Sequence, residues 1–415
     1  MQGERLPEGI SGRTGISDVG HRSHASGDSL WVACLESEEA LGTLEAEWMD
    51  LFGRTASRNP FLSFDWMAKW WTHWGHRCRL FLVTVRDCSH RLVGLAPLYI
   101  SRPWRGMGFR RLGFIGDDHV GSDHLNLLVD PGYQATAVDA IGDAVIQRRS
   151  LWDYIEWRDT DGDAPTMRRL RCRLSLTYGM AEEAVPACLC PYLPLPKSFE
   201  ECLKGLGPNQ RYNFRRRRRS LERGGGIEFV TLRGAADVLA HFEDLVRLHR
   251  ARFSDKDHQS TFLDPTVLDF HRGVLARRSD YQWERLHLLR VNGATVAALY
   301  GFAMADKFLF YQCGMDPAWS RHSVGLVMMG LSIEASIKEG HREFDFLRGE
   351  ESYKFLWTDQ SRHTVTIRFF DQRFRSLCTH AYVRIRQQLA LAKRGIFVAM
   401  DYDGRGGRQV KLVAE

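Results

Sequence analysis

Residues 344–355 read FDFLRGEESYKF and crowd proton donors and acceptors into one short run. Moving a group onto an amine needs a base for the ammonium proton and an acid or hydrogen bond for the departing group. Glu350 or Asp345 offers the carboxylate for the first task. Tyr353 offers a hydroxyl for the second, and Lys354 places a positive charge beside them. The same spacing also fits a plainer reading, in which Asp345 pairs with a neighbour and Glu350 is a solvated loop residue.

A second run, residues 311–325, reads YQCGMDPAWSRHSVG and leads into an apolar helical stretch over 324–339. Strand, short polar loop and helix start follow one another. The first turn of a helix presents free amides and a positive dipole end, which suits a pyrophosphate. Ser323 is placed to cap that helix, and Gly325 lets backbone approach a ligand closely. The strand ending at Met315 offers amides to a carbonyl oxygen that gains charge during acyl transfer. An ordinary capped helix with no ligand is the alternative.

These residues need a scaffold, and the chain supplies one twice. Residues 80–86 and 91–100 form an apolar hairpin pattern, and so do 286–291 and 295–302, the latter joined through Asn292-Gly293, a strong hairpin turn. Each hairpin is followed by a helical stretch (about 135–149 and 324–339) and then a strand carrying Asp153 or Asp345. The two Asp-containing strands lie about 190 residues apart, close to the spacing of the hairpins. Sequence thus predicts duplicated α/β units: a disordered leader over 1–28, a first unit over 29–190, a second over 191–375, and a basic helix and tail over 376–415. The Pro-rich stretch 186–196 marks the division. A single basic helix is expected over 199–223, ending at three glycines.

The 415 residues are 44% hydrophobic and 26% charged, enough for two cores. No run approaches 18 uncharged apolar residues, so no membrane span is expected. The amino-terminal stretch lacks an apolar signal region. Nine cysteines in no metal-binding spacing read as reduced thiols, and the protein is expected in the cytoplasm. A net charge of +6 suits an anionic small ligand without demanding nucleic acid. Arg215 to Arg219 form an unbroken run, but five consecutive positions sweep right round a helix and cannot meet one ligand together. Residues 116–124, GDDHVGSDH, lack the ligand frame of a metal site; an acceptor-binding loop or a turn is expected there, with no metal. Trp66, Trp70 and Trp74 follow helical spacing and are expected in the core.

In order along the chain, Asn59-Pro60-Phe61 through Trp66, Leu95-Ala96-Pro97-Leu98, Ser122-Asp123 and the Arg-rich helix make a pattern. It continues through Leu248-His249-Arg250, Ser323-Val324-Gly325, 344–350 and Tyr353-Lys354. This pattern, over roughly residues 30–375, resembles the CelD/BcsL group of GNAT-related acetyltransferases, relatives of the FemAB aminoacyltransferases. The resemblance implies an α/β fold of two tandem GNAT-like (acyl-CoA N-acyltransferase) domains with mixed central sheets flanked by helices, the second holding acetyl-CoA or another acyl-CoA as co-substrate. It implies Arg321, Ser323, Val324 and Gly325 as pyrophosphate contacts, although the family's Q/R-x-x-G-x-G/A loop is reduced here to Arg321 and one glycine. It also implies an amine acceptor, such as an amino sugar, in exopolysaccharide or cell-envelope metabolism. The acceptor is expected between the halves, lined by Arg215 and its helix, His249, Asp123 and the Glu350 loop. His249 joins Glu350, Asp345 and Tyr353 as a catalytic candidate, and Asp123 and Lys354 join Arg215 as substrate contacts. Two rivals stand beside this reading. One is a FemAB-like aminoacyl-tRNA-dependent transferase, with the Arg helix on RNA. The other is a non-catalytic scaffold in polysaccharide assembly.

Overall fold

The structure is a computed structural model that describes residues 21–25, 28–56, 58–101, 108–223, 226–253, 260–277, 281–393, 396–402 and 408–414. The strands are β1 (His21–Ala25), β2 (Asp28–Leu35), β3 (Cys78–Arg86), β4 (Leu92–Ser101), β5 (Arg111–Phe114), β6 (Leu128–Val129), β7 (Tyr154–Thr160) and β8 (Ala181–Pro194). They continue as β9 (Ile227–Arg233), β10 (Glu284–Val291), β11 (Ala294–Met304), β12 (Lys307–Met315), β13 (Glu343–Asp345), β14 (Ser361–Phe370), β15 (Ile396–Tyr402) and β16 (Arg408–Ala414). The helices are α1 (Glu38–Thr43), α2 (Glu45–Arg54), α3 (Phe64–Trp74), α4 (Gln134–Gln147), α5 (Pro165–Cys172) and α6 (Phe199–Gly205). They continue as α7 (Pro208–Arg223), α8 (Gly234–Ala240), α9 (Phe242–Phe253), α10 (Pro265–Ala276), α11 (Val324–Lys338) and α12 (Phe374–Lys393).

Most of the expected leader, 1–20, lies outside the described residues, and His21–Ala25 pairs antiparallel with β2. The doubled architecture is present and mixed as expected. In the first half β3 and β4 form a hairpin, β5 runs antiparallel to β4, and β7 runs parallel to β5. The second half repeats this with β10, β11, β12 and β13. The Asn292-Gly293 turn has positive φ at both positions, 51° and 78°, matching the twist of a two-residue hairpin.

Two local expectations are corrected. The basic helix is split into α6 and α7 because Pro208 cannot continue a helix from residues 206–207 and instead opens the next one. The Pro-rich stretch is no linker but most of β8. Pro186 sits where the β14 register slips between His363 and Val365, and Pro191 where β8 passes from β14 to β13. There the missing proline amides cost no ladder bond, and the Cys188 amide is met by the Thr364 hydroxyl at 3.1 Å.

β14, which follows β13 in the chain, lies between β7 and β8, so the halves share one sheet in the order β1-β2-β3-β4-β5-β7-β14-β8-β13-β12-β11-β10-β9, with β6 on β4. The expected boundary at residue 190 therefore falls inside a strand that both halves use. One face of the second half packs on the first through Phe61, Trp66, Phe302 and Tyr311, with Trp66 and Tyr311 rings 5.7 Å apart. Its other face is covered by α7 and α11 through Phe214, Val327 and Ile333. Trp66 and Trp70 are buried, as their spacing predicts, and donate to Ser122 Oγ and the Asp117 carbonyl.

Candidate active site

Each half contains a parallel strand pair that joins briefly and then parts. In the second half β12 pairs with β13 only through Lys307, Phe308 and Leu309. Past Asp345 the chain stays with β8, the Phe346 and Gly349 amides donating to the Pro191 and Leu189 carbonyls. β12 meanwhile runs on to Met315 with no strand on that side among the described residues. A cavity of about 190 Å³ opens at this divergence. Its walls are Ala297, Ala298 and Leu299 of β11, Cys313 to Met315 of β12, and Ser320, Ser323, Gly325, Leu326, Met328 and Met329 around the start of α11. Tyr353, Leu356 and Trp357 close it from the far loop, and Arg252 reaches in from α9.

The first half parts in the same way, since β5 pairs with β7 only at Arg111 and Leu112. There the chain fills its own gap. Ile115, Val120, Leu125 and Leu127 are buried, and Leu125 bonds to the Asp159 carbonyl and accepts from the Asp161 amide. The turn leading into α4 is likewise satisfied internally, by the Asp130 carboxylate on the Gly132 amide at 2.9 Å. In the second half, Ser323 stands before α11 with φ 56° and ψ 41°, and its side chain makes no capping bond. The expected Ser323 cap is thus absent, because a left-handed residue points its hydroxyl away from the first turn. Its carbonyl still accepts from the Leu326 and Val327 amides. Left-handed backbone at a residue other than glycine is costly and gathers at ligand sites.

The cavity lining is mostly apolar with a polar corner. Arg252 Nη1 is 2.6 Å from Cys313 Sγ, and its guanidinium lies 5.1 Å from the centre of the Tyr353 ring. Burial, reinforced by neighbouring Cys313 and Glu351, pushes the Tyr353 hydroxyl well above its usual range, so it stays protonated at neutral pH. An apolar channel beside amides of a helix start and a protonated hydroxyl fits a thioester on a long phosphorylated arm. Met315, Ser323, Gly325 and Tyr353 are the expected residues that the fold brings together here.

Several other candidates are engaged elsewhere. Val324 is fully buried in the core, and Arg321 is exposed beside the cavity, its carbonyl accepting from Arg217. Asp345 is buried with one oxygen on the Leu347 amide and the other 2.7 Å from Arg362. Burial opposes its charge, but the His124 imidazole and Arg362 outweigh that and hold the carboxyl at about 2, far too low for a base at neutral pH. His124 Nε2 is 3.7 Å from Asp345, a neighbouring charge and too distant for a hydrogen bond. Asp123, expected at the acceptor, clamps Arg348 instead, taking its amide at 2.9 Å and its Nε at 2.7 Å. Lys354 is buried and staples the preceding loop, 2.5 Å from the Arg348 carbonyl and 3.0 Å from Glu351. Arg215 pairs with Glu200 at 2.6 Å, and Arg218 with Glu222 and Glu334, so the Arg run is spread around α7. Glu350 is exposed on the loop after Gly349.

His249 lies under β12 in the core. Its ring nitrogens meet Ser260 Oγ at 2.7 Å and Gln312 Oε1 at 3.0 Å, and burial lowers it to about 4, so it is neutral and occupied. α9 can pack there because Gly314 has no side chain: a Cβ would come within 2.3 Å of the His249 amide nitrogen. The residue of this helix that reaches the cavity is Arg252, which sequence reasoning missed. It lies three positions past His249, nearly one turn, and helical phase was the signal that could have found it. The 116–124 loop is a largely buried joint between the halves, with Asp123 holding Arg348 and the Val120 carbonyl accepting from Tyr311.

Residues 208–355 match the sequence profile of the acetyltransferase (GNAT) domain. No curated protein sequence matches the chain. Among solved structures, FemX is similar in fold, with a TM-score of 0.52 at 9% identity over 78% of this chain and 95% of that one. L-PGS from Bacillus licheniformis gives 0.47 at 9% identity, over 86% and 95%. A tandem GNAT protein from the clavulanic acid biosynthesis pathway gives 0.40 at 13% identity, over 81% and 98%. The chain folds as two tandem GNAT-like units, and residues 208–355 of its second half are similar to the acetyltransferase (GNAT) domain.

Proposed function

We propose that the chain transfers an acyl group from acyl-CoA to an amine acceptor, an amino sugar or similar precursor of exopolysaccharide or cell envelope, in the manner of CelD/BcsL-type acetyltransferases. The observation that carries this reading is the contrast between the two strand divergences, one filled by its own chain and the other open onto the cavity at the start of α11. Acyl-CoA is the substrate of that cavity. Its pyrophosphate meets the first-turn amides of α11, and its pantetheine arm lies along Met315, Met328 and Met329. The amine attacks the thioester carbon as Glu350 or solvent takes its proton. The C–S bond breaks, and the departing thiolate accepts a hydrogen bond from the Tyr353 hydroxyl and takes its proton from solvent. Holding amine and thioester together supplies most of the acceleration, with proton transfer adding less.

The direct test is thermal stabilisation by acetyl-CoA, with a tRNA pool at equal concentration as control. A ligand at about 100 times its Kd adds about 2.7 kcal/mol to the native state. A shift with acetyl-CoA alone supports the proposal. A salt-sensitive shift with tRNA alone favours aminoacyl transfer, and no shift with either favours a scaffold.

With an acceptor identified by profiling amines and amino sugars, Tyr353→Phe is expected to lower kcat about 100-fold and leave acyl-CoA affinity nearly unchanged. Glu350→Gln is expected to lower kcat as well. Unchanged turnover in either variant removes that residue from the mechanism.

A further inference from the structure

Helix α12 is amphipathic the wrong way round for a helix that rests on a protein body. Against the sheet it buries Ser376 and Thr379, both fully enclosed. To solvent it shows Phe374, 81% exposed, and Leu377, Tyr382, Ile385 and Leu389, each about half exposed or more. At 3.6 residues per turn these five fall within an arc of about 140°. Arg375 and Arg386 border that arc on one side and Arg384 on the other, and residues 374–393 contain no carboxylate. The ring of Phe109, from the connection into β5, lies 5.7 Å from that of Tyr382 and extends the patch.

We infer that this face docks on an anionic lipid surface. An apolar stripe edged on both sides by arginine matches the cross-section of an interfacial helix, with side chains in the acyl boundary and guanidinium groups at the headgroups. Arg375 and Arg384 also hold the helix to the body, through Asp153 at 3.0 Å and Glu183 at 3.2 Å, so the stripe is presented by an anchored helix. A second copy of the chain fits less well. Two-fold pairing of the stripe would set its basic borders against each other. No helix among the described residues is long and apolar enough to cross a membrane, so the contact is peripheral.

The test is co-sedimentation of the full chain with vesicles of equal parts phosphatidylcholine and phosphatidylglycerol, and with phosphatidylcholine alone. The chain should pellet with the anionic vesicles at least about tenfold more strongly, and the difference should shrink as salt rises. A variant carrying Leu377→Glu, Ile385→Glu and Leu389→Glu, all at exposed positions, should melt at the same temperature and stay in the supernatant. The inference is overturned if the native chain ignores anionic vesicles, or if the triple variant binds them equally. It is also overturned if the substitutions abolish only a concentration-dependent dimer measured by light scattering. None of these readouts depends on acyl-CoA binding.

Discussion

Gly325→Leu should abolish acyl-CoA binding and leave the fold as stable as before, or slightly more so. Gly325 is at the second position of α11 and lines the cavity. A Cβ there would meet only the Met315 thioether at 3.1 Å, the end of a flexible side chain that can move aside. The backbone gains rather than loses, because glycine costs about 1 kcal/mol relative to a good helix former inside a helix, and somewhat less near its end. The remaining carbons of the leucine extend into a space of about 190 Å³ and cover the amides that the pyrophosphate needs. Affinity for acetyl-CoA should fall at least about 100-fold, equivalent to about 2.7 kcal/mol. Calorimetric titration beside a melting curve checks both halves of the expectation. Full affinity in a folded Gly325→Leu protein would place the ligand outside this cavity and remove the basis for acyl transfer there. Gly325→Ala adds only the first carbon and should give an intermediate loss.

How far such a site can be read in advance depends on whether its signals are local. The hairpin at Asn292-Gly293 and the helix from Val324 were legible because each rests on a few adjacent residues. The repeat was legible because both halves keep the same order of elements. The role of β8 was not, since its prolines are tolerated only through a register slip against β14, some 170 residues later in the chain. The carboxylate cluster was legible as a place and misleading as chemistry. Neither Asp345 nor Lys354 lines the cavity, because Arg362 and the carbonyl of Arg348, brought in by β14 and the loop, engage them. Trp357 escaped notice because no spacing links it to Met315. Only the divergence of two strands, a tertiary event, makes them neighbours.

Asp123→Ala should cost the protein about 3–5 kcal/mol, the largest stability loss expected from any single change at the joint between the halves. Asp123 is completely buried at the end of the first-half loop. One of its oxygens holds the Arg348 amide and the other the Arg348 Nε. The Asn59 side chain in turn donates to the Asp123 carbonyl at 2.7 Å. Removing the carboxylate strands a buried amide and leaves the guanidinium with Asp159, 3.0 Å away, as its remaining acid. Arg348 follows immediately on Leu347, whose φ of 52° is itself strained. The loss should therefore loosen the loop that leads through Gly349 and Glu350 to Tyr353 at the cavity. Asp123→Asn keeps the shape and one acceptor, and should lose less. If Asp123 contacts the acceptor instead, Asp123→Asn should raise the acceptor KM with no change in stability. If it clamps the loop, urea unfolding should show the stability loss in both variants, graded Ala over Asn, whether or not substrate is present. A stability difference below about 1 kcal/mol for Asp123→Ala would mean that the halves are held without this clamp, and that the loop after β13 owes its position to Lys354 and to its amide bonds to β8.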